Sequence, residues 1–447
     1  MDSGAGTLRQ AIVKAEAPPG RDVEESVEDA AGREEPASRV SKQAWLVALS
    51  AGLGYMFDAY VVNLFSFVLP LVKAEFALST TGTGAIGSAL LAGYFIGTVG
   101  FGWAADRWGR RDTLGVSIFV YGLTTGATGL APNAAVFGAL RFLTGIGGAG
   151  ELSVGVPYTA EVWPRLRRAF GTGGVIFSLY AVGALLAILA ALVLAPTAGW
   201  RWVFYVAILP ALLTFALRRL VKESGAFEDA VEQSDGQPTG GFREVLTSPA
   251  LRRPLVVSSL IFIANAVGYW GFLVFLQEYM LSTFKLSFGE SLAYTAIPYA
   301  AMVVWPFAGA LFADRFGRRP AGVIGGVAIA VANVIAFSTD SLAFFIVAEV
   351  FGIGLLGWTW AVGQTYVSEL FPTRLRATGF GVSVAIGRFP AIAGPLLTGT
   401  LISSIGLGGV AKWFALLWVL YIVGFLLGPE TARRSLAELD RSAEQAP

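Results

Sequence analysis

From Trp45 onward the chain runs in apolar stretches of about 20 residues, each long enough to cross a hydrocarbon layer of about 30 Å as a helix. Twelve can be marked out, at 44–69, 83–105, 112–131, 134–160, 169–195, 200–219, 255–279, 290–313, 320–338, 341–366, 378–403 and 407–428. The pattern predicts an all-α membrane protein with twelve transmembrane helices. Ahead of them, residues 1–43 carry nine acids against six bases, with Pro18, Pro19 and Pro36, which reads as a solvated, disordered tail. That tail lacks the basic-then-apolar layout of a signal peptide.

The polar loops give an orientation and a repeat. Of the 32 Lys and Arg residues, 26 fall on the side that holds both chain ends. Only Lys73, Arg201, Lys285 and Lys412 fall on the other, while Arg141 and Arg388 lie inside spans. This asymmetry predicts both termini in the cytoplasm. Asp106-Arg107-Trp108-Gly109-Arg110-Arg111 returns as Asp314-Arg315-Phe316-Gly317-Arg318-Arg319, an offset of 208 residues. The same offset carries Tyr158, Glu161, Pro164 and Arg168 onto Tyr366, Glu369, Pro372 and Arg376. Two segments sharing one offset predict two homologous six-helix bundles, 44–219 and 254–428, with a cytoplasmic linker at 220–253 and a cytoplasmic tail at 429–447. A site between the halves, near the midplane, is expected of such a chain.

Composition narrows the chemistry. The chain is 55% hydrophobic and 14% charged, where a soluble domain carries about 25% charge, so lipid is the solvent for most of it. The net charge is +1 with no detached basic block, and no nucleic-acid partner is expected. Cysteine and histidine are both absent, which excludes disulfides, thiol catalysis and the commonest metal ligand. No serine sits beside a convincing base, so neither an enzyme nor a metal or cofactor site is expected. Any proton handled within the membrane must ride on a carboxylate.

Gly102-Trp103-Ala104-Ala105-Asp106-Arg107-Trp108-Gly109-Arg110-Arg111 and Arg141-Phe142-Leu143-Thr144-Gly145-Ile146-Gly147 resemble signature motifs of the major facilitator superfamily. The likeness covers about 44–440. A narrower one, to bacterial niacin and aromatic-acid carriers, rests on Phe57-Asp58-Ala59, Gly148-Ala149-Gly150-Glu151, Glu369-Leu370-Phe371-Pro372-Thr373-Arg374 and Gly387-Arg388. Animal organic-ion transporters, lactate and sialate symporters and sugar porters share parts of this pattern. The aromatic-acid carriers usually have a second Asp three residues after the first, and here that position is Val61. The resemblance implies a secondary active transporter of the cell inner membrane, working by alternating access.

Ionisable groups inside apolar spans cost about 2.5–3.5 kcal/mol or more each and so mark candidate sites. Asp58, about 15 Å from the outer face at 1.5 Å per residue, is a candidate proton carrier, and Arg141 is its expected partner. Glu151 lies ten residues beyond Arg141, too far along the axis to pair with it, and is read as a second proton-relay group. Arg388 cannot shed its charge and has no acid within a turn, so a substrate carboxylate or an acid from another helix must answer it. Glu349, which the offset pairs with Arg141, is read as structural or gating. Asn265, Tyr269, Trp270, Trp360 and Gln364 supply amides and rings suited to a flat organic substrate, with Tyr180 and Tyr299 as weaker candidates.

The repeated loops are expected to gate rather than bind. Gly102 permits close helix approach, Asp106 can cap or attract a neighbouring helix N-terminus, and Asp314, its counterpart in the repeat, is read as a gating residue. Arg107, Arg110, Arg315, Arg318 and Arg376 can pair with Glu161 and Glu369, latching this face while the other is open. The expected cargo is a small organic anion, aromatic or monocarboxylic, moved with a proton by a monomer in the lipid bilayer. A sugar or polyol symporter, a drug or metabolite exporter and a non-transporting membrane receptor stand as alternatives.

Overall fold

The computed structural model describes residues 40–78, 80–209, 212, 215, 216, 223 and 241–444, with 69, 70, 80, 81, 83, 84, 269–278, 281, 282, 288, 393–404, 407, 411 and 441–444 as backbone alone. Most of the tail predicted at 1–43 and of the linker predicted at 220–253 therefore lies outside the described residues. The first half contains α1 (Lys42–Glu75), α2 (Thr80–Trp108), α3 (Arg110–Thr128), α4 (Ala134–Val162), α5 (Ile176–Thr197) and α6 (Trp200–Val206). The second contains α7 (Phe242–Thr247), α8 (Pro249–Thr283), α9 (Phe288–Phe316), α10 (Arg318–Ala336), α11 (Leu342–Leu370), α12 (Arg376–Ala415), α13 (Trp418–Leu427) and α14 (Leu436–Glu444). No strand occurs among the described residues.

Eight of the twelve apolar runs form helices that are, among the described residues, long and apolar enough to cross a membrane. The third and fourth runs are helical as α3 and α4, but threonine, glycine, Arg141 and Glu151 dilute their apolar character. The sixth is described mainly through α6, and the eleventh lies in α12, part of which is backbone alone. Gly406, with φ 71°, breaks α12 between the eleventh and twelfth runs.

Local chemistry sets the helix ends. Ser41, Asn133 and Ser341 accept hydrogen bonds from the first turns of α1, α4 and α11. Ser287 and Glu290 form a reciprocal capping box at α9. Gly109 and Gly317 adopt φ 101° and 110° at equivalent points of the repeated loop. A side chain would be strained in that region, so glycine makes the sharp break between α2 and α3 and between α9 and α10. Pro249 opens α8 inside the stretch predicted as linker, because proline is at ease in a first helical turn.

Helix pairing repeats with the sequence. In the first half α1 packs on α5 and α2 on α4, and in the second α8 packs on α12 and α9 on α11. The halves meet along two matching seams, α2 with α12 and α5 with α9. Small residues make the approach: at the first seam a Cβ on Gly381 of α12 would collide with the Thr98 carbonyl oxygen of α2, and within the first half one on Gly97 would lie 2.7 Å from that of Ala149 across α2 and α4. In lipid, such close packing replaces water exclusion as the cohesive force. At the end of α1, Glu75 accepts from Arg201 and Trp200, which hold its carboxyl below the ordinary carboxylate range. This tie therefore persists in mild acid and is lost only as the pH falls through that depressed value.

Candidate functional site

Near the middle of α1, Asp58 is 2% exposed although ionisable, and three helices converge on it. Tyr94 of α2 donates its hydroxyl hydrogen to Asp58 Oδ1. Over the face of the same tyrosine ring, 4.2 Å from its centroid, sits the guanidinium carbon of Arg388 from α12. Arg388 is 6% exposed; its Nε and Nη1 have no hydrogen-bond partner, and among the described residues it forms no ion pair within 4.0 Å. Asp58, Tyr55 and Tyr180 are its electrostatic neighbours. Glu151, buried on α4, is an electrostatic neighbour of Asp58.

The walls are aromatic. Phe177 of α5 stacks on Trp360 of α11 with centroids 5.6 Å apart and planes 13° from parallel. Tyr180 continues the stack at 5.1 Å, and Tyr55 meets Tyr180 at 4.6 Å. Together these groups enclose a cavity of about 20 Å³, the size of a water molecule, with both halves contributing. A cation with open donor positions, an adjacent carboxylate and ring faces can receive a flat anion once the chamber widens.

Other predicted residues sit elsewhere. Arg141 does not pair with Asp58: it donates to the Val61 carbonyl at 3.3 Å and to Thr144 Oγ1 at 3.4 Å, and stacks over Phe204 at 5.2 Å. Asp58 instead meets an arginine from the opposite half, because spacing along α4 does not reveal which way Arg141 turns about the helix axis. Gln364 is committed to the seam, donating to the Thr172 carbonyl at 2.8 Å. Buried Asn265 has neither amide atom hydrogen-bonded and faces Gly363 of α11. The side chains of Tyr269 and Trp270 lie outside the described residues. Tyr299 reaches across the halves to Asn63 Oδ1 at 3.3 Å.

Glu349 is wholly buried near Asn333 of α10, with neither carboxyl oxygen hydrogen-bonded. Its replacement by glutamine keeps volume and removes an expensive charge. Glu349→Gln is expected to leave the thermal unfolding midpoint unchanged or higher. Arg141→Met, which removes the tie between α4 and α1, is expected to cost about 1.5–3 kcal/mol and lower the midpoint without changing KM. Thermal unfolding in detergent micelles and uptake kinetics check both.

The repeated loops build a layer of cross-half ties. Asp106 accepts from the backbone N–H groups of Ala377 at 3.3 Å and Thr378 at 2.5 Å, at the start of α12. Asp314 accepts from Ala169 at 3.0 Å and Phe170 at 2.9 Å, just ahead of α5. Each half thus caps a helix of the other, where backbone donors and the helix dipole favour a carboxylate. Arg110 holds Asp106 and Glu161 at 2.9 and 3.0 Å; Arg318 holds Asp314 and Glu369 at 2.8 and 3.0 Å. Arg168 crosses to Glu369 at 3.0 Å and Arg376 to Glu161 at 3.3 Å. Arg107 and Arg315 take no part in these ties and stack over Trp103 and Phe316.

A Cβ on Gly102 would lie 2.6 Å from the Ala377 carbonyl oxygen. Gly102→Leu therefore cannot close this face, and transport is expected to fall at least tenfold. The chain contains no cysteine, so one introduced at Thr373 reports closure by its maleimide reactivity, which is expected to rise in the Gly102→Leu background.

Several participants escaped the sequence reading. Tyr94 and Phe177 look like any aromatic in an apolar helix, although Tyr94 has the signal of a lone hydroxyl-bearing ring between Gly93 and Gly97. Glu223 accepts from the N–H groups of Arg110 and Arg111, and Glu430 from those of Arg318 and Arg319. Their separation misses the 208-residue offset by one, which hid the repeat. Asp440, in the predicted tail, binds Thr373 and Arg376, so that segment belongs to the closed face.

The Major Facilitator Superfamily profile matches residues 51–312, and the Sugar (and other) transporter profile matches 226–443. The chain is 33% identical over 384 residues to the cis,cis-muconate transport protein of Acinetobacter baylyi, covering 83% of this chain and 92% of that protein. It is 28% identical to the niacin transporter NiaP of the same organism, covering 88% and 95%. The solved structure of the proton:xylose symporter XylE bound to 6-bromo-6-deoxy-D-glucose has the same fold at a TM-score of 0.75 and 20% identity, covering 90% of this chain and all of that one. With twelve apolar runs, an internal repeat and paired seams already in view, these matches make the chain a multi-pass membrane transporter, not an enzyme, and a member of the major facilitator superfamily.

Proposed function

We propose that this chain is a proton symporter for a small aromatic or unsaturated organic acid, working by alternating access between bundles at 44–219 and 254–428. The observation that carries the reading is Arg388: a permanent cation, buried between the halves with two guanidinium nitrogens unbonded, against a wall of rings. A planar carboxylate complements that fork, and a conjugated body complements Phe177 and Trp360. The names of the relatives, a muconate carrier and a niacin carrier, support an anion of this kind.

Asp58 is the coupling carboxylate in this scheme and Glu151 its relay. Ionised Asp58 satisfies the field of Arg388 and competes with the substrate carboxylate. Protonation removes that competitor, the anion takes its place on Arg388, and the loaded site carries no more net charge than the empty one. The halves can then rock about the seams, with the Asp106 and Asp314 ties holding one face shut while the other is open. Both termini face the cytoplasm of a cell whose inner membrane holds the carrier as a monomer.

Purified protein in liposomes tests the reading. Labelled benzoate, cis,cis-muconate, nicotinate and xylose are offered with and without an imposed pH gradient. The expected result is accumulation of at least one acid that depends on the gradient. Accumulation of xylose alone would establish the sugar reading, and binding without flux would establish a receptor.

A further inference from the structure

Tyr94 touches both ionisable members of the chamber, Asp58 and Arg388, at once. Its hydroxyl donates to Asp58, and its ring face carries Arg388 at 4.2 Å. Resting on the proton-symport reading, we propose that Tyr94 is the positioning residue through which protonation of Asp58 releases Arg388 to the substrate.

The coupling is electrostatic. A phenol that donates to a carboxylate gains electron density in its ring, and a richer ring face holds a guanidinium more firmly. Ionised Asp58 therefore keeps Arg388 parked on Tyr94, by direct attraction and through the ring. A protonated carboxyl accepts weakly, so the phenol relaxes, the ring loses density and the guanidinium can swing to an incoming carboxylate. By linkage the reverse also holds: an anion that draws Arg388 away makes Asp58 easier to protonate. The charged and titratable groups facing this pair are Glu151 from α4, Arg388 from α12, Tyr55 from α1 and Tyr180 from α5.

The neighbouring helix leaves room for the bridge. Gly148 of α4 sits against it, and a Cβ there would lie 2.6 Å from Asp58 Oδ1 and 2.7 Å from the Tyr94 hydroxyl oxygen. A glycine at this point lets three side chains meet without an intervening methyl group. Gly93, next to Tyr94, lets α2 lie directly on the Phe142 carbonyl of α4, which sets the height of the ring.

Tyr94→Phe keeps the ring and removes the hydroxyl. In liposomes, labelled benzoate is followed in two modes: accumulation driven by a pH gradient, and exchange against internal benzoate with no gradient. The expected result is at least a tenfold fall in the ratio of accumulation to exchange, with a flattened pH profile for benzoate binding. Gly148→Ala, which pushes the bridge apart while leaving all three groups in place, is expected to lower the same ratio. A ratio and pH profile like those of the unaltered protein in both variants would overturn the proposal, as would equal loss of both modes, which marks a packing role. Failure of the unaltered protein to accumulate any acid under a gradient would instead overturn the symport reading itself.

Discussion

Arg388→Lys is expected to lower kcat/KM for an aromatic acid about a hundredfold, although the charge is kept. Two charge-assisted hydrogen bonds from a planar fork contribute about 1.5–3 kcal/mol each, and lysine reproduces only one of them from a compact ammonium. Losing about 3 kcal/mol corresponds to roughly two powers of ten. The flat guanidinium also lies over the Tyr94 ring, a contact that an ammonium makes differently and with fewer atoms. Arg388→Gln removes the charge as well and is expected to reduce uptake to background. Initial uptake rates of labelled benzoate in liposomes over a range of concentrations measure both. Wild-type kinetics in Arg388→Lys would mean that the carboxylate binds elsewhere.

Asp58→Asn is expected to convert a concentrating carrier into one that only equilibrates. Electroneutral symport of one proton with each anion concentrates substrate about tenfold for each pH unit of gradient, and asparagine cannot take up the proton that drives it. Asparagine still accepts from Tyr94, so the chamber keeps its shape, and exchange is expected to persist at a reduced rate. Position 61, three residues on from Asp58, is a valine, so α1 offers no second carboxylate beside it. Parallel measurement of gradient-driven accumulation and of exchange separates loss of coupling from loss of folding. Full accumulation by the variant would move the coupling role to Glu151.

The twelve apolar runs, the offset of 208 and the isolated charges were legible because lipid enforces simple rules on length and polarity. The cap by Asp106 could be anticipated for the same reason, since a carboxylate near a helix N-terminus has few other uses at a bilayer edge, and the repeat extends it to Asp314. Rotation about each helix axis was not legible. A spacing of residues places Asp58 and Arg141 at comparable depth, yet Arg141 turns to Phe204 while Arg388 arrives from the other half. The chamber's rings were hidden for a different reason. Phe177 facing the chamber and a phenylalanine facing lipid have the same signature, and only the packing of α5 against α11 distinguishes them.

If the chain works as the proposed symporter, the paired ties at the closed face set how tightly it conserves its gradient. When the halves part, Glu161 and Glu369 lose Arg376 and Arg168 but keep Arg110 and Arg318, which belong to their own half. Neither acid is stranded without a counter-charge, so separation is reversible and inexpensive. The two aspartate caps, by contrast, span the divide and must be surrendered together, which makes half-separated arrangements scarce. In the proposed symport cycle, slippage, in which hydrogen ions cross without cargo through such an arrangement, is then opposed by four backbone amides held by two carboxylates rather than by a plug in the pathway.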